Sequence, residues 1–318
     1  MKRIGITTGD VDGIGYEVTA KALSLLGPQK GCHFFLFFSP LSEIKYRPVI
    51  QKKFKLVTFT NIHSALKFSR SNNSSQYLIE IIQGSSPAVW VEQCGRLCLK
   101  ENLDSMVTAP LSKQEIRAAG FSDLGHTDIL KRLAKKKTAF MTFVGKHFNV
   151  LLVSGHLPVS RVEKKLKASL IQEAIKAAFS ARDLLPAAQS RKPLAVLGLN
   201  PHAGDQGLIG GFDQKTLRPL LKKMGSRIPL QGPLVPDVAF IPNQWKKYSL
   251  YIAQYHDQGL IPFKMIHGFD SGVHLTLGLP IRRTSVDHGT AKDIFGKNKA
   301  NPKSMAEALR WGVRLAKR

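Results

Sequence analysis

Short apolar runs alternate along this chain with segments whose apolar residues recur at helical spacing. Ile4–Thr8 reads as a first strand. Gly15–Leu26 reads as a helix, with Val18, Ala22, Leu25 and Leu26 on one side. His33–Phe38 is a dense aromatic run, a buried strand by length and β-propensity. Lys55–Thr60, Ser105–Ala109, Leu194–Leu199, Val238–Ile241 and Leu250–Gln254 predict further strands, and a helix is expected to start at Pro110–Lys113. Phe140–Val144 and Phe148–Ser154 flank Gly145-Lys146, which predicts an antiparallel hairpin. Arg161–Arg182, Lys215–Met224 and Ser304–Ala316 predict helices. Asn72–Ser75 reads as a polar loop and Pro186–Lys192 as a connector. There is no internal repeat. Strands alternating with helices make the chain α/β.

Three of the predicted strands end in a turn that carries a histidine. The segments are Leu151–Pro158 with His156, Leu197–Gly204 with His202, and Ala253–Gly259 with His256. The histidines are 46 and 54 residues apart, so no local helix or loop gathers them. A parallel α/β architecture, with its loops clustered at the carboxyl ends of the strands, does so naturally. A lone histidine after a strand is more often a loop or core residue than a ligand. Three at equivalent strand ends, each beside Gly or Pro, point to a divalent-metal site of the kind imidazole favours.

Composition narrows the class. At 318 residues and 43% hydrophobic content the chain can bury a large core, with two lobes as the prior. No apolar run reaches the ~18 residues of a membrane span, and the N-terminus enters a strand directly with no secretory h-region, so a cytoplasmic protein is expected. Cys32, Cys94 and Cys98 fit reduced thiols, and the Cys94–Cys98 spacing is wider than a redox motif. The charge is the anomaly: 47 Lys+Arg against 22 Asp+Glu gives +25. The basic residues lie in short groups such as Lys135–Lys137, with no basic tail or aromatic–basic motif. A solvated basic surface that attracts anionic substrates is therefore expected over a nucleic-acid partner.

Other motifs divide. Gly13-Ile14-Gly15 follows a strand and opens a helix, but Val18 stands where a dinucleotide fingerprint needs its third glycine, and no acidic residue closes a second strand. A Rossmann site is rejected. Gly125-His126-Thr127-Asp128 sits before a helical segment, where Thr127 is a candidate cap and free amides plus the imidazole would make an anion pocket. Lys264, Arg282 and Arg283 flank the Gly-rich stretch 268–280 and are candidates for a phosphate or carboxylate.

Asp287-His288-Gly289-Thr290-Ala291, with Ile294, Gly296 and Asn301-Pro302, resembles the adenine-binding loop of isocitrate and isopropylmalate dehydrogenases. Those enzymes take NAD or NADP without a Rossmann fold, and the spacing of thirteen residues from His288 to Asn301 is kept. The chain as a whole is similar to the 4-hydroxythreonine-4-phosphate dehydrogenase family of vitamin B6 biosynthesis. The matching segments are Ile6–Asp10 with Gly13–Gly15, Thr108–Lys113, Gly125–Thr127, Gly155–Pro158, Gly198–Gly204, Gly232-Pro233 with Pro236-Asp237, Tyr255–Leu260 with Lys264, Gly272–Pro280, and Arg283–Ser285 with Asp287–Ala291.

The resemblance implies a two-lobed isocitrate/isopropylmalate dehydrogenase-like α/β fold, with the active-site cleft between lobes. The first lobe would take residues 1–130 and 265–318, and the second 131–264. It implies that His156, His202 and His256 bind a divalent metal (zinc, magnesium or cobalt) in a site shared across a homodimer, one histidine coming from the partner subunit. It places substrate at His126, Thr127, Lys264, His274 and Arg283, and NAD or NADP at His288, Gly289, Thr290, Ala291 and Asn301. The implied reaction is oxidation of 4-phosphohydroxy-L-threonine to 2-amino-3-oxo-4-phosphooxybutanoate, which loses CO2 to give 3-amino-2-oxopropyl phosphate. Asp237 and Lys264 are alternative bases or proton relays, and Asp237 is alternatively a partner that orients a metal-bound histidine. The family motif is altered here at Thr8, Val11, Asp12 and Tyr16, His274 stands where the family has asparagine, and Arg282 replaces an apolar residue. These departures keep open a second substrate class, the four-carbon sugar-acid phosphates threonate and erythronate 4-phosphate.

Overall fold

The strands, in chain order, are β1 (Lys2–Thr7), β2 (Cys32–Phe38), β3 (Lys55–Phe59), β4 (Tyr77–Ile82), β5 (Ser105–Thr108), β6 (Phe140–Val144), β7 (Asn149–Leu152), β8 (Leu194–Leu197), β9 (Leu230–Leu234), β10 (Leu250–Ala253), β11 (Val273–Leu277) and β12 (Arg283–Ser285). This computed structural model describes residues 1–42, 44–268 and 272–317, so residues 269–271 of the Gly-rich stretch lie outside the described residues. The chain divides into two compact units, Met1–Lys137 with Leu279–Arg318, and Thr138–Gly278.

In the first unit the strands run parallel in the order β3-β4-β2-β1-β5-β12. Parallel neighbours need crossover connections, which put helices on the sheet and bury its central strands on both faces. That is why β2, with the sequence CHFFLFF, reads as one unbroken apolar run and is buried at every position. Helices Pro87–Leu99 and Lys303–Ala316 pack on β1 and β5. Small residues allow the close approach: a Cβ at Gly5 would lie 2.3 Å from Cys94 Sγ, and one at Gly312 would lie 2.5 Å from Val107 Cγ2. Strand β4, which no sequence expectation covered, carries a fully buried Glu80. Arg47 Nε and Nη2 donate to it at 3.0 and 2.5 Å, and the Thr58 hydroxyl donates at 2.7 Å.

In the second unit the order is β11-β6-β7-β10-β8-β9. β11, β6 and β7 are antiparallel neighbours, and β7, β10, β8 and β9 run parallel. The β6–β7 hairpin is the one expected. Side chains alternate between two apolar layers. Leu151, Val196 and Ile252 pack with helix Ala168–Ala181, while Val150, Leu152, Tyr251 and Ala253 pack with Phe263 of helix His256–His267. Gly259 lets the latter helix lie against β7, since a Cβ there would be 2.7 Å from Leu152 and 2.8 Å from Val150 side-chain atoms.

Some local expectations fail for identifiable reasons. Val238–Ile241 is not a strand: Pro236–Ala239 and Pro242–Trp245 are short helices, each opening on a proline, whose fixed φ favours a first helical turn. The helix expected over Arg161–Arg182 is broken at Leu166, whose ψ of 83° leaves the helical region, and its main part is Ala168–Ala181. Thr127 is not a cap. The helix His126–Leu133 is preceded by Gly125 with no side-chain cap, and Thr127 lies inside its first turn. Among the described residues no helix is long and apolar enough to cross a membrane.

Candidate active site

β7, β10 and β8 are adjacent and parallel, so their carboxyl ends lie along one edge of the second unit's sheet. His156 follows β7 by four residues, His256 follows β10 by three, and His202 follows β8 by five. The first two meet: their ring centroids are 5.0 Å apart. They line a cavity of about 360 Å³ with Leu157, Pro158, Tyr255 and Asp257. Asp257 Oδ1 is 2.7 Å from His256 Nδ1, a bond that fixes the ring and directs the Nε2 lone pair outward when Nδ1 carries the proton. Two imidazoles at this separation, one oriented by a carboxylate, fit a borderline divalent cation.

His202 stands in a different setting. Residues His202 to Gln206 all take left-handed backbone angles, with φ from 40° to 81°. Such a run costs about 1–2 kcal/mol for each non-glycine residue. The fully buried Asp213 holds the start of the turn, accepting from Leu199 N–H (2.7 Å), Asn200 N–H (3.1 Å) and Asn200 Nδ2 (2.9 Å). Among the described residues no group of three His, Cys, Asp or Glu side chains gathers as a metal cage. One chain thus brings together two of the three predicted histidines.

The first unit has a second cavity, of about 310 Å³, lined by Thr108, Ser112, His126, Arg283, His288 and Thr290 among others. It unites residues predicted separately for substrate and for cofactor. Arg283 is 3% exposed. Its Nε and Nη2 donate to Thr108 Oγ1 at 3.0 and 2.8 Å. Burial pulls its pKa down to about 9, which leaves it cationic at neutral pH. A cation already fixed and stripped of water is a strong receptor for a phosphate or carboxylate. Thr108 was not singled out by itself in the sequence; its signal was the Thr108–Lys113 segment.

The predicted cofactor loop is pinned to the first loop of the chain. Ile14 N–H donates to Thr290 O at 3.0 Å, and Lys292 Nζ reaches Asp12 at 2.7 Å and Asp10 at 3.4 Å. Gly13 and Ile14 thus spend their N–H groups within the protein, on Asp10 O and Thr290 O. A Cβ on Gly15 would strike Thr8 O at 1.8 Å, which accounts for that glycine. Ala291 turns the loop with a φ of 44°. His288 Nδ1 lies 2.9 Å from Gly289 O, while its Nε2 is shielded from solvent with no hydrogen-bond partner among the described residues. A buried ring nitrogen of that kind fits a polar ligand atom, as expected for a nucleotide. Asn301 is exposed, and its Oδ1 accepts from Lys303 N–H at 3.0 Å, at the start of the last helix.

The remaining candidates line neither cavity. Asp237 is exposed in the short helix Pro236–Ala239. Lys264 is half-buried, two turns beyond His256 on the same helix. His274 lies on β11 opposite Phe143, with the rings stacked at 5.1 Å and 29°.

Solved structures share this topology over nearly the whole chain. A 4-hydroxythreonine-4-phosphate dehydrogenase from Klebsiella pneumoniae matches with a TM-score of 0.80 at 27% identity, covering 100% of this chain and 98% of that one. One from Burkholderia phymatum matches at 0.77 and 29%, covering 99% and 98%. The class is thereby set: an oxidoreductase, an α/β dehydrogenase outside the Rossmann group. The sequence model described as "Pyridoxal phosphate biosynthetic protein PdxA" matches residues 52–312, and the chain belongs to that family. A 4-hydroxythreonine-4-phosphate dehydrogenase from Sulfurihydrogenibium sp. is 34% identical over 99% of this chain and 98% of its own length. A D-threonate 4-phosphate dehydrogenase from Cupriavidus necator is 32% identical over 99% and 97%.

Proposed function

We propose that this dehydrogenase oxidises 4-phosphohydroxy-L-threonine with NAD or NADP and a divalent metal, in the cytoplasm, as a homodimer. The observation that supports the reading most is the His156–His256 pair at the ends of neighbouring parallel strands. When bound, the metal lowers the pKa of a substrate hydroxyl and the nicotinamide accepts hydride. The chain's own residues do the rest. Arg283, with His126 and Thr127 in the first turn of their helix, holds the phosphate as a fixed set of donors. His156 and His256 hold the metal, the third imidazole coming from a second copy of the chain as His202. His288, Gly289, Thr290, Ala291 and Asn301 seat the nucleotide. Lys264 or Asp237 takes the hydroxyl proton. The product is a β-keto acid, and its ketone accepts the electron pair released when CO2 leaves.

A second reading keeps the chemistry and changes the substrate to threonate or erythronate 4-phosphate. The Cupriavidus necator relative and His274, a ring where the family has an amide, favour it. The test is one assay with two substrates. Purified protein with NAD or NADP is supplied with 4-phosphohydroxy-L-threonine and, separately, D-threonate 4-phosphate, before and after chelation. Preferred, chelator-sensitive turnover of the first supports the main reading, and preference for the second supports the alternative. Failure with both overturns the function.

A further inference from the structure

The three histidine-bearing loops are tied to one another by buried amides that take no part in the chemistry above. Ser154, two residues before His156, donates both its N–H (3.2 Å) and its hydroxyl (2.8 Å) to Gln254 O. Gln254, two residues before His256, sends its Nε2 to Leu197 O at 2.7 Å. Gln258, two residues after His256, accepts from Gln254 N–H and donates to Gly198 O, each at 2.7 Å. Leu197 and Gly198 lead directly into the turn that carries His202. Gln254 is fully buried and Ser154 nearly so. The Gln254–Gln258 bond closes the turn after β10; each of the others joins the end of one parallel strand to the end of its neighbour, beyond the last ladder pair between those strands.

We propose that Ser154, Gln254 and Gln258 are positioning residues, a bracket that sets the separation and angle of the three loops before any metal binds. The inference rests on the metal reading of His156, His202 and His256. Asp213 braces the His202 turn on its own side, whereas the bonds named here tie the three loops to one another. Loops of this kind open locally at little cost, and a cation then meets scattered ligands. Bonds between neighbouring strand ends remove that freedom in advance, so less order has to be lost on binding. Gln258 is the centre of the bracket, because its single amide spans the ends of β10 and β8, one bond by its oxygen and one by its nitrogen. Where His202 serves a second copy, the bracket fixes the His156–His256 pair for one site and ties it to the loop that carries His202 to the other.

The test uses the purified full chain, stripped of metal and titrated with Co2+, followed by its visible absorption and by calorimetry. Amide hydrogen exchange across residues 197–206 and 253–258 is measured on the same samples. Gln258→Leu keeps the side chain's approximate volume and removes both bonds. It is expected to weaken Co2+ binding about tenfold or more, the scale seen when support around a metal ligand is lost. Exchange in both loops should rise while the Tm of the metal-free protein changes little. A role in folding alone would lower that Tm and leave the affinity of the folded protein unchanged. If Gln258→Leu does not fold, Ser154→Ala, which removes one of the two bonds to Gln254 O, carries the test with a smaller loss of affinity in the same direction. Wild-type Co2+ affinity in the folded variants overturns the bracket and leaves the metal reading standing. A wild-type protein that takes up no Co2+ overturns the metal reading, and the bracket with it.

Discussion

Arg283 and Thr108 are 175 residues apart in sequence, and the guanidinium donates two hydrogen bonds to the one hydroxyl. β12 and β5 are parallel neighbours in which Ser285 pairs with Thr108, so the sheet register sets the contact. Thr108→Val keeps the shape and removes the acceptor. A buried hydrogen bond to a charged group is worth about 1.5–3 kcal/mol. The variant is expected to lose stability on that scale, and the KM for the phosphorylated substrate should rise about tenfold with a smaller change in kcat. Steady-state kinetics and thermal unfolding check both parts, and an unchanged KM would remove Arg283 from substrate binding.

The contact between Lys292 and Asp12 joins the predicted cofactor loop to a position where the family motif is altered. Both side chains are substantially exposed, 37% and 54%. Such a pair contributes about 1 kcal/mol at most to stability and weakens with salt. Lys292→Met is therefore expected to leave the Tm nearly unchanged and to raise the KM for NAD or NADP a few-fold. Raising ionic strength should increase the wild-type KM toward that of the variant. A variant with wild-type cofactor KM at low salt would show that the pair does not hold the loop.

His267 gives the fold a pH dependence. Its Nε2 accepts the His147 N–H at 3.1 Å and its Nδ1 lies 3.0 Å from Phe263 O, an arrangement that suits the neutral ring with Nδ1–H donating. Burial, reinforced by His147, holds its pKa below the usual 6.5. The buried His33, between Ser69 Oγ and Ser74 O, is depressed for the same first reason. Above the unfolded pKa both states are neutral and pH has no effect through these groups. As pH falls through 6.5 the unfolded chain takes up protons that the native state refuses, and stability drops until the native pKa is passed. Urea unfolding from about pH 7.5 to about pH 5 should show this loss. His267→Gln keeps an acceptor and a donor, and should flatten the slope. An equally steep variant would assign the effect elsewhere.

How much of this was legible in the sequence depended on whether local pattern or distant pairing decides a residue's place. The histidine loops were legible because β7, β8 and β10 are short apolar runs, each followed within a few residues by a histidine and a Gly or Pro, a local signal. Strand β4 was not, because Glu80 interrupts its apolar run, and the groups that make that burial tolerable, Arg47 and Thr58, are distant in sequence. Val238–Ile241 reads as a strand from its apolar residues, yet Pro236 and Pro242 start short helical turns on either side of it. The Thr108–Arg283 contact and the bonds from Gln254 to Leu197 and from Gln258 to Gly198 depend on which strands are neighbours, which no local spacing encodes. The resemblance to a family pointed to His126, Arg283 and His288, and the cavity they share adds a physical reason for that grouping.

The carboxylate beside His256 offers the sharpest test of the metal reading. Asp257 Oδ1 lies 2.7 Å from Nδ1, and a bond there both selects the tautomer that leaves the Nε2 lone pair open to a metal and raises its basicity. Asp257 is 62% exposed, so water replaces part of what a substitution removes. The loss for Asp257→Ala should therefore fall near the low end of the usual range, about tenfold in metal affinity. His256→Ala removes a ligand outright and should abolish tight Co2+ binding, with Asp257→Ala lying between it and wild type. The graded order, measured by calorimetry on metal-free protein, is the expectation. Equal affinity in wild type and His256→Ala would mean that the metal sits elsewhere.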